Sequence, residues 1–280
     1  MFDLFFPPLC PLCNAVMEGD AVFCELCASR LTTPDGMYCR RCGGKHHPHH
    51  RNTLGCSRCR TTPFRFRRVI VLGEYEAELR ELILRMKTDR SGFLARVVTQ
   101  LLVRQRAKEF RETPLDLIIP VPMYWFRRWV RGVNSPDILA EELGRILKVP
   151  VASELVQRIR PTEVQYLLSA HNRAGNVANA FAVKRVDEGW YQRLVNGIGL
   201  GSFWWRMVSN RRVLPNYSDL SGKNILLVDD IFTTGSTCNE VAKVLHRAGV
   251  RSVTVCTFAR AVGFYTQRRA HLLEKLAKKR

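Results

Sequence analysis

The clearest hydrophobic pattern lies near the end of the chain and predicts a strand, a loop, a helix and a second strand. Ile225–Val228 is a continuous apolar run, as in a strand buried on both faces of a parallel sheet. Ser252–Phe258 predicts the next strand. Between them, apolar residues recur at helical spacing, namely at Val241, Val244, Leu245 and Ala248. Gly249 then ends the predicted helix, so the unit is β–loop–α–β with its loop at the carboxyl edge of a sheet.

Earlier in the chain, the same periodicity predicts three amphipathic helical stretches and one more strand. The apolar faces are formed by Leu79, Leu82, Ile83 and Met86, by Leu94, Val97, Val98, Leu101 and Leu102, and by Leu139, Leu143, Ile146 and Leu147. The run at 116–122 predicts a strand that ends in a proline-containing loop. In this part of the chain, two predicted helices in succession are followed by a strand and then by a third helix.

Two adjacent carboxylates and a turn of small hydroxyl residues follow the strand at 225–228. Asp229 and Asp230 can accept hydrogen bonds from the vicinal hydroxyls of a ribose, directly or beside a Mg²⁺ ion. Thr233–Thr237 places hydroxyls and backbone amides at the start of a helix, which suits a phosphate dianion. The sequence therefore predicts a sugar-phosphate site. The alternatives are acids that only cap the helix, and the Mg²⁺ site of a phospho-acceptor receiver domain, in which the acids come early and no such turn follows.

Eight of the ten cysteines form four Cys-x-x-Cys pairs near the N-terminus. The pairs are Cys10/Cys13, Cys24/Cys27, Cys39/Cys42 and Cys56/Cys59. Two pairs complete one closed, tetrahedral zinc site, so four pairs predict two structural Zn²⁺ ions. Disulfides and an iron–sulfur cluster are the alternatives. The spacing leaves open whether sequential or interleaved pairs share an ion, and whether the histidines at 46, 47, 49 and 50 add ligands or form a solvated loop.

The sequence contains no export signal that we recognise. Met1–Pro8 is apolar, but it is short, carries Asp3 and lacks a basic segment. No apolar run approaches the ~18 residues of a membrane helix. We therefore expect a cytoplasmic protein without a transmembrane segment, in which disulfides are disfavoured.

Basic residues greatly outnumber acidic ones. The formal net charge of the 280 residues is +19, and arginine and lysine pairs are spread along the whole chain. A field of this sign attracts polyanions, although no base-reading element is visible. Single-stranded DNA is therefore a candidate partner.

The segment Leu227–Thr237 resembles the phosphoribosyl pyrophosphate signature of type I phosphoribosyltransferases. The resemblance implies that Asp229 and Asp230 bind the ribose hydroxyls at the catalytic centre. It also implies that the 5′-phosphate is bound by Thr233, Thr234, Gly235, Ser236 and Thr237. Enzymes of that family displace pyrophosphate at the anomeric carbon with a nitrogen nucleophile, assisted by Mg²⁺.

The cysteine pairs together with this signature are similar to the ComF family, which includes GntX-like proteins. The resemblance covers nearly the whole chain and implies further substrate contacts. Lys87 ends the helix at 79–86, as a lysine does in that family. Arg131 lies in a segment that resembles Pro-Val-Pro…Arg-Gly-Phe-Asn-Gln. Gln165 and Arg173 lie in a segment that, in type I enzymes, closes over the activated sugar. Val133 and Ser135-Pro136 depart from the family pattern.

The implied fold is α/β, with a type I phosphoribosyltransferase-like, open and mainly parallel sheet flanked by helices and preceded by a small zinc-ribbon module. We expect a double zinc ribbon at residues 1–63, a phosphoribosyltransferase-like domain at 64–265 and a basic helix or tail at 266–280. An insertion at about 187–219, rich in tryptophan and arginine, does not fit the family. Its aromatic residues predict a nucleic-acid or membrane contact, a dimer contact or a loop that packs on itself.

Two functions follow from the resemblance. The first is a Mg²⁺-dependent phosphoribosyltransferase-like protein that binds phosphoribosyl pyrophosphate and is associated with DNA uptake, competence or DNA utilisation. The second is a non-catalytic adaptor that handles single-stranded DNA, in which the phosphoribosyl site is a sensor or vestigial. Proteins of the competence machinery are candidate partners in both cases.

Overall fold

A four-stranded parallel sheet forms the centre of the protein. The computed structural model describes residues 8–17, 19, 21–45, 55–57, 59–122, 135–160, 175–184 and 220–261. Within these residues the strands are β1 (Arg68–Glu74), β2 (Leu117–Pro120), β3 (Val156–Arg158), β4 (Phe181–Val183), β5 (Asn224–Phe232) and β6 (Ser252–Arg260). The central sheet has the order β1-β6-β5-β2 with every neighbouring pair parallel, whereas β3 and β4 form a separate antiparallel pair.

Helices cover both faces of the central sheet. The helices in the described part of the chain are α1 (Glu25–Leu31), α2 (Ala77–Met86), α3 (Phe93–Gln105), α4 (Ala107–Arg111), α5 (Ser135–Leu147) and α6 (Ser236–Arg247). Ile70 and Leu72 of β1 lie in a first core with α2, α3 and α5, whereas Val69 and Val71 lie in a second core with α6. Because successive strand residues point to opposite faces, burial on both faces explains the continuous apolar runs. The predicted α/β fold class is confirmed.

The helices bury most of the apolar residues predicted for their faces, whereas Ile146, Leu147, Val244 and Ala248 are only partly buried. The buried residues of α2 are Leu79, Leu82, Ile83 and Met86, and those of α3 include Leu94, Val97, Val98, Leu101 and Leu102. Leu139 and Leu143 of α5 are fully buried, as are Val241 and Leu245 of α6. Gly249 follows α6 with a positive φ, which is the geometry of a helix-ending glycine.

The N-terminal segment packs onto the first core. Phe23, Cys27 and Leu31 lie in that core together with α2 and α3. The end of α1 also approaches β1 closely, because a Cβ at Gly73 would lie 2.5 Å from the carbonyl oxygen of Leu31. A side chain at position 73 would therefore push these two elements apart.

The buried side chain of Arg106, which lies between α3 and α4, joins the segment that follows α1 to β1. Its guanidinium donates to the carbonyl oxygens of Val71 and Leu72 at 2.8 and 3.0 Å, and also to Thr33 and Asp35. A buried charge is tolerated only when such partners replace water. Arg106 therefore fixes the approach to the third cysteine pair against the sheet.

Candidate functional site

The eight paired cysteines form two separate groups of four. The first cysteine cluster contains Cys10, Cys13, Cys24 and Cys27, and the second contains Cys39, Cys42, Cys56 and Cys59. Pairs that follow each other in the sequence therefore share a cluster, which decides between the sequential and interleaved arrangements. All four members of the second cluster are buried, whereas Cys13 of the first is exposed.

The sulfur–sulfur distances match a tetrahedral zinc site. The Sγ atoms of Cys13 and Cys24 lie 3.7 Å apart, and those of Cys42 and Cys56 lie 3.6 Å apart. A tetrahedron with Zn–S bonds of about 2.3 Å has edges of about 3.8 Å. Disulfides need an S–S distance of about 2.05 Å, and all ten cysteines are free. Both clusters therefore fit structural Zn²⁺, while the histidines at 46, 47, 49 and 50 lie outside the described residues.

Tight turns give each cluster its shape. The N–H of Asn14 donates to the carbonyl of Cys10 at 2.9 Å, and that of Gly43 donates to Cys39 at 2.7 Å. Asn14 and Gly43 both have positive φ, as needed to fold the chain back after the second cysteine of a pair. The turns after Cys13 and Cys42 therefore bring the two sulfurs of each pair onto one side.

The acid pair lies inside β5, which extends to Phe232. Asp229 pairs with Thr257 of β6 along the ladder, so its backbone position is fixed by the sheet. The N–H of Asp230 donates to Oδ1 of Asp229 at 2.9 Å. Lys87, which directly follows α2, places Nζ at 3.3 Å from Oδ2 of Asp230. The structure thus brings Lys87 and the acid pair together.

Of the two adjacent carboxylates, Asp229 is the one whose pKa is strongly raised. Burial, followed by the charge of Asp230, raises the pKa of Asp229 well above its usual value, and Lys87 opposes this shift. The thiol of Cys238 in α6 lies 3.9 Å from Oδ2 of Asp229. Burial raises the pKa of Cys238 well above its ordinary value, so the sulfur stays protonated beside the acid. Within the described residues, no cationic or hydroxyl group is hydrogen-bonded to Oδ2 of Asp229.

The turn after β5 is shaped to receive an anion at the start of α6. We use the name β5–α6 loop for Thr233–Thr237, which includes the first two residues of α6. The chain enters α6 through Gly235, which has a φ of +80° and provides no capping side chain. No acidic residue lies in the first turn of α6. The hydroxyls of Thr234 and Ser236 lie 2.8 Å apart. A helix N-terminus of this kind favours a negatively charged group.

An aromatic group that the sequence did not single out supports this loop. The phenylalanine cluster consists of Phe64, Phe66 and Phe232: the rings of Phe64 and Phe66 stack at 4.6 Å, and both meet Phe232 edge-on. Arg260 lies over the Phe232 ring at 4.8 Å and donates to the Phe232 carbonyl at 3.1 Å. In the sequence, the run Phe64-Arg65-Phe66, which lies just before β1, is the feature that indicates this aromatic support.

Comparisons with known proteins identify the family. A Double zinc ribbon domain model matches residues 1–60, and a Phosphoribosyl transferase domain model matches residues 149–277. The chain is 32% identical over 264 residues to the DNA utilization protein YhgH of Escherichia coli (strain K12), covering 92% of this chain and all of that protein. This chain belongs to the ComF family. Competence protein F of Haemophilus influenzae is 31% identical over 229 residues, covering 80% of this chain and 85% of that protein.

A solved structure of an adenine phosphoribosyltransferase is similar to this ComF family member at 14% identity and a TM-score of 0.33. The match covers 65% of this chain and 78% of that one. The fold class rests on the parallel sheet and the family models. In the part of the chain that the structure describes, no helix is long and apolar enough to cross a membrane.

The ComF site residues predicted from the sequence divide into two groups. Lys87, the acid pair and the β5–α6 loop lie together at the carboxyl edge of the sheet. Arg131, Gln165 and Arg173 lie outside the described residues, as does the insertion at about 187–219. Cys238 and the phenylalanine cluster are additional residues at this edge.

Proposed function

We propose that this ComF family member binds phosphoribosyl pyrophosphate at the β5–α6 loop. Asp229 and Asp230 accept the ribose hydroxyls, and the first turn of α6 with Thr233–Thr237 binds the 5′-phosphate. The observation that carries the proposal is the junction of a half-buried acid pair with a helix N-terminus whose N-cap is glycine. A carboxylate pair favours hydroxyls or a cation, and the helix end favours phosphate, so the junction suits a sugar phosphate.

The same carboxylates are the residues that would hold Mg²⁺ with the ligand. Oxygen ligands from one or two carboxylates plus substrate phosphates are the usual Mg²⁺ environment in proteins. Bound there, the ion would neutralise charge on the pyrophosphate. The perturbed pKa of Asp229 supports this assignment, since burial beside Asp230 leaves its ionised form in need of a partner.

The corresponding activity is transfer of a phosphoribosyl group to a nitrogen acceptor. The bond from the anomeric carbon to pyrophosphate breaks, a bond from that carbon to nitrogen forms, and the acceptor nitrogen loses a proton. In this scheme the chain's residues orient the sugar and stabilise negative charge on the departing pyrophosphate. Lys87 lies beside the acid pair and is our candidate for that second role.

Isothermal titration calorimetry with phosphoribosyl pyrophosphate, with and without Mg²⁺, tests the binding proposal. The double variant Asp229→Ala/Asp230→Ala should lose binding, whereas Asp116→Ala should retain it. Asp116 is a suitable control because its carboxylate is also hydrogen-bonded to β5, at Asn224, but at the opposite edge of the sheet. Unchanged affinity in the double variant would remove the site assignment.

The second candidate function is non-catalytic handling of single-stranded DNA, with the phosphoribosyl site as a sensor. The net charge of +19 and the names of the relatives, DNA utilization protein and Competence protein F, support it. Proteins of the competence machinery would then be partners.

A pyrophosphate-release assay with nucleobases, amines and single-stranded DNA separates the two functions. Turnover with any acceptor decides for the transferase. Tight DNA binding that weakens steeply with salt, without turnover, decides for the adaptor.

A further inference from the structure

Phe64 contacts both the second cysteine cluster and the loop at the candidate site. It is the partly buried apolar residue that packs against Cys39, Cys42, Cys56 and Cys59. Its backbone is tied to the same cluster, because its N–H donates to the carbonyl of Thr62 at 2.9 Å and the N–H of Thr62 donates to that of Cys59 at 3.0 Å. The position of this ring therefore depends on the fold of the second cluster.

The Phe64 ring also limits the shape of the β5–α6 loop. A Cβ at Gly235 would lie 3.1 Å from Cε1 of Phe64 and 2.5 Å from Cζ of Phe232. The left-handed backbone of Gly235 is thus packed directly onto two rings of the phenylalanine cluster. Since Gly235 occupies the N-cap position of α6, these rings determine where the first amides of the helix point.

Backbone hydrogen bonds beside Phe64 attach the same segment to both ends of α6. The N–H of Arg65 donates to Oδ1 of Asn239 at 2.6 Å, in the first turns of the helix. The carbonyl oxygen of Arg65 lies 2.8 Å from Nε2 of His246, near its end. The segment that leaves the second cluster therefore holds α6 as well as the loop that precedes it.

The first cysteine cluster has no such relationship to the loop. Cys10 and Cys27 pack into the first core, on the face of the sheet that α2 and α3 cover. Phe23, which precedes Cys24, lies in that core as well. The two clusters therefore differ in what they support, although they have the same ligands.

We propose that the second cysteine cluster, acting through Phe64, positions the β5–α6 loop, so that metal occupancy of that cluster sets the affinity for phosphoribosyl ligands. The affinity half of this inference rests on the proposed function, whereas the positioning half does not. Phe64 is a positioning residue, because it acts through Gly235 and not by touching the ligand. The coupling must be reciprocal: a ligand that binds the ordered loop should slow loss of metal from the second cluster.

The test compares Phe64→Ala with Phe23→Ala, since each removes a phenylalanine ring near one cysteine cluster. Amide hydrogen exchange of the peptide 232–240 reports the loop without any ligand. Calorimetry with Mg²⁺ and phosphoribosyl pyrophosphate reports affinity, and metal analysis verifies two zinc ions per chain in both variants. Phe64→Ala should speed exchange in 232–240 and weaken binding about tenfold, which corresponds to about 1.4 kcal/mol. Phe23→Ala should change neither the exchange in 232–240 nor the affinity. Phe64→Tyr keeps the ring, so it should match the wild type in both measurements.

The wild-type protein supplies a measurement that needs no variant. Cysteine alkylation in the presence of a zinc-selective chelator that leaves Mg²⁺ free, followed by peptide mass spectrometry, reports metal loss from each cluster separately. Phosphoribosyl pyrophosphate with Mg²⁺ should slow alkylation of Cys39, Cys42, Cys56 and Cys59 and leave the first cluster unaffected.

The outcomes separate the two proposals. If Phe64→Ala leaves loop exchange and affinity unchanged, or if Phe23→Ala alters them equally, the coupling is overturned. If the wild-type protein does not bind phosphoribosyl pyrophosphate but Phe64→Ala still speeds exchange in 232–240, the positioning role stands and the proposed function falls.

Discussion

The ammonium group of Lys87 lies 3.3 Å from Oδ2 of Asp230, and the pair joins the end of α2 to the carboxyl edge of the sheet. Both side chains are partly exposed, so the ion pair itself adds little to the stability of the fold. Its effect on the site is larger, because the charge of Lys87 also opposes the rise in the pKa of the neighbouring Asp229. Lys87 therefore favours the ionised form of Asp229, which is the form that can accept ribose hydroxyls or hold a cation.

Replacing Lys87 by methionine should weaken phosphoribosyl pyrophosphate binding and shift its pH dependence. Without the ammonium group, the pKa of Asp229 rises further, so this carboxyl group ionises only at higher pH. Titration calorimetry over a series of pH values should show a binding midpoint displaced to higher pH, with affinity reduced by roughly tenfold near neutrality.

Lys243→Met is the matched control for this change. Lys243 also pairs with a carboxylate, Glu240 at 3.2 Å, but it does so within α6. Its removal should leave both affinity and midpoint unchanged. If Lys87→Met binds as the wild type does at every pH, Lys87 has no role at the site.

Asp229→Asn should stabilise the ligand-free protein at neutral pH while abolishing ligand binding. The folded state raises the pKa of Asp229, so it holds that proton more tightly than the unfolded chain does. The contribution of Asp229 to the free energy of unfolding is therefore greatest at acid pH and falls as pH rises from its ordinary pKa towards the raised one. Asparagine does not titrate, so the gain in Tm over wild type should grow with pH and reach a few degrees.

Asp230→Asn distinguishes this effect from a general benefit of removing charge. That substitution relieves the repulsion on Asp229, but it leaves the larger cause, burial, in place and removes the carboxylate that pairs with Lys87, so its gain in Tm should be smaller. Thermal unfolding of the three proteins across pH provides the comparison. A Tm difference between Asp229→Asn and wild type that stays constant with pH would contradict the proposed titration.

The parts of the site that the sequence predicted are those built from short segments. Asp229, Asp230 and the β5–α6 loop are contiguous, so local pattern placed them at the end of a strand and the start of a helix. The role of Phe64 was not predictable, because its contact with Gly235 exists only after the sheet has brought distant segments together. The sequence also could not show which cysteine pairs share a zinc site, because the spacing allows both sequential and interleaved pairs. The structure shows that sequential pairs share each site. The roles of all the site residues remain predictions, and Arg131, Gln165 and Arg173 also lie outside the described residues.

Gly235→Ala should disrupt the loop more than an alanine at another left-handed glycine. Alanine with a φ of +80° is unfavourable by about 1–2 kcal/mol, and its Cβ would also lie 2.5 Å from Cζ of Phe232. Gly222 has a φ of +70° with nothing within 4 Å of its Cβ position. Gly222→Ala should therefore lose only the stability that the left-handed backbone costs an alanine. Denaturant unfolding should show the larger loss for Gly235→Ala, and calorimetry should show lost affinity for that variant alone. Equal losses of stability would show that the rings move aside.

Zinc should leave the two clusters at different rates. The second cluster is buried at all four cysteines, whereas Cys13 of the first is exposed and gives a chelator direct access. A chromophoric chelator should therefore release about two zinc ions per chain in two phases of similar amplitude. Cys13→Ser should remove the fast phase, because it removes a ligand of the accessible site. Cys238→Ser should retain both phases, since Cys238 lies beside Asp229 and belongs to neither cluster. A single phase in the wild-type protein would show that the exposure of Cys13 does not control release.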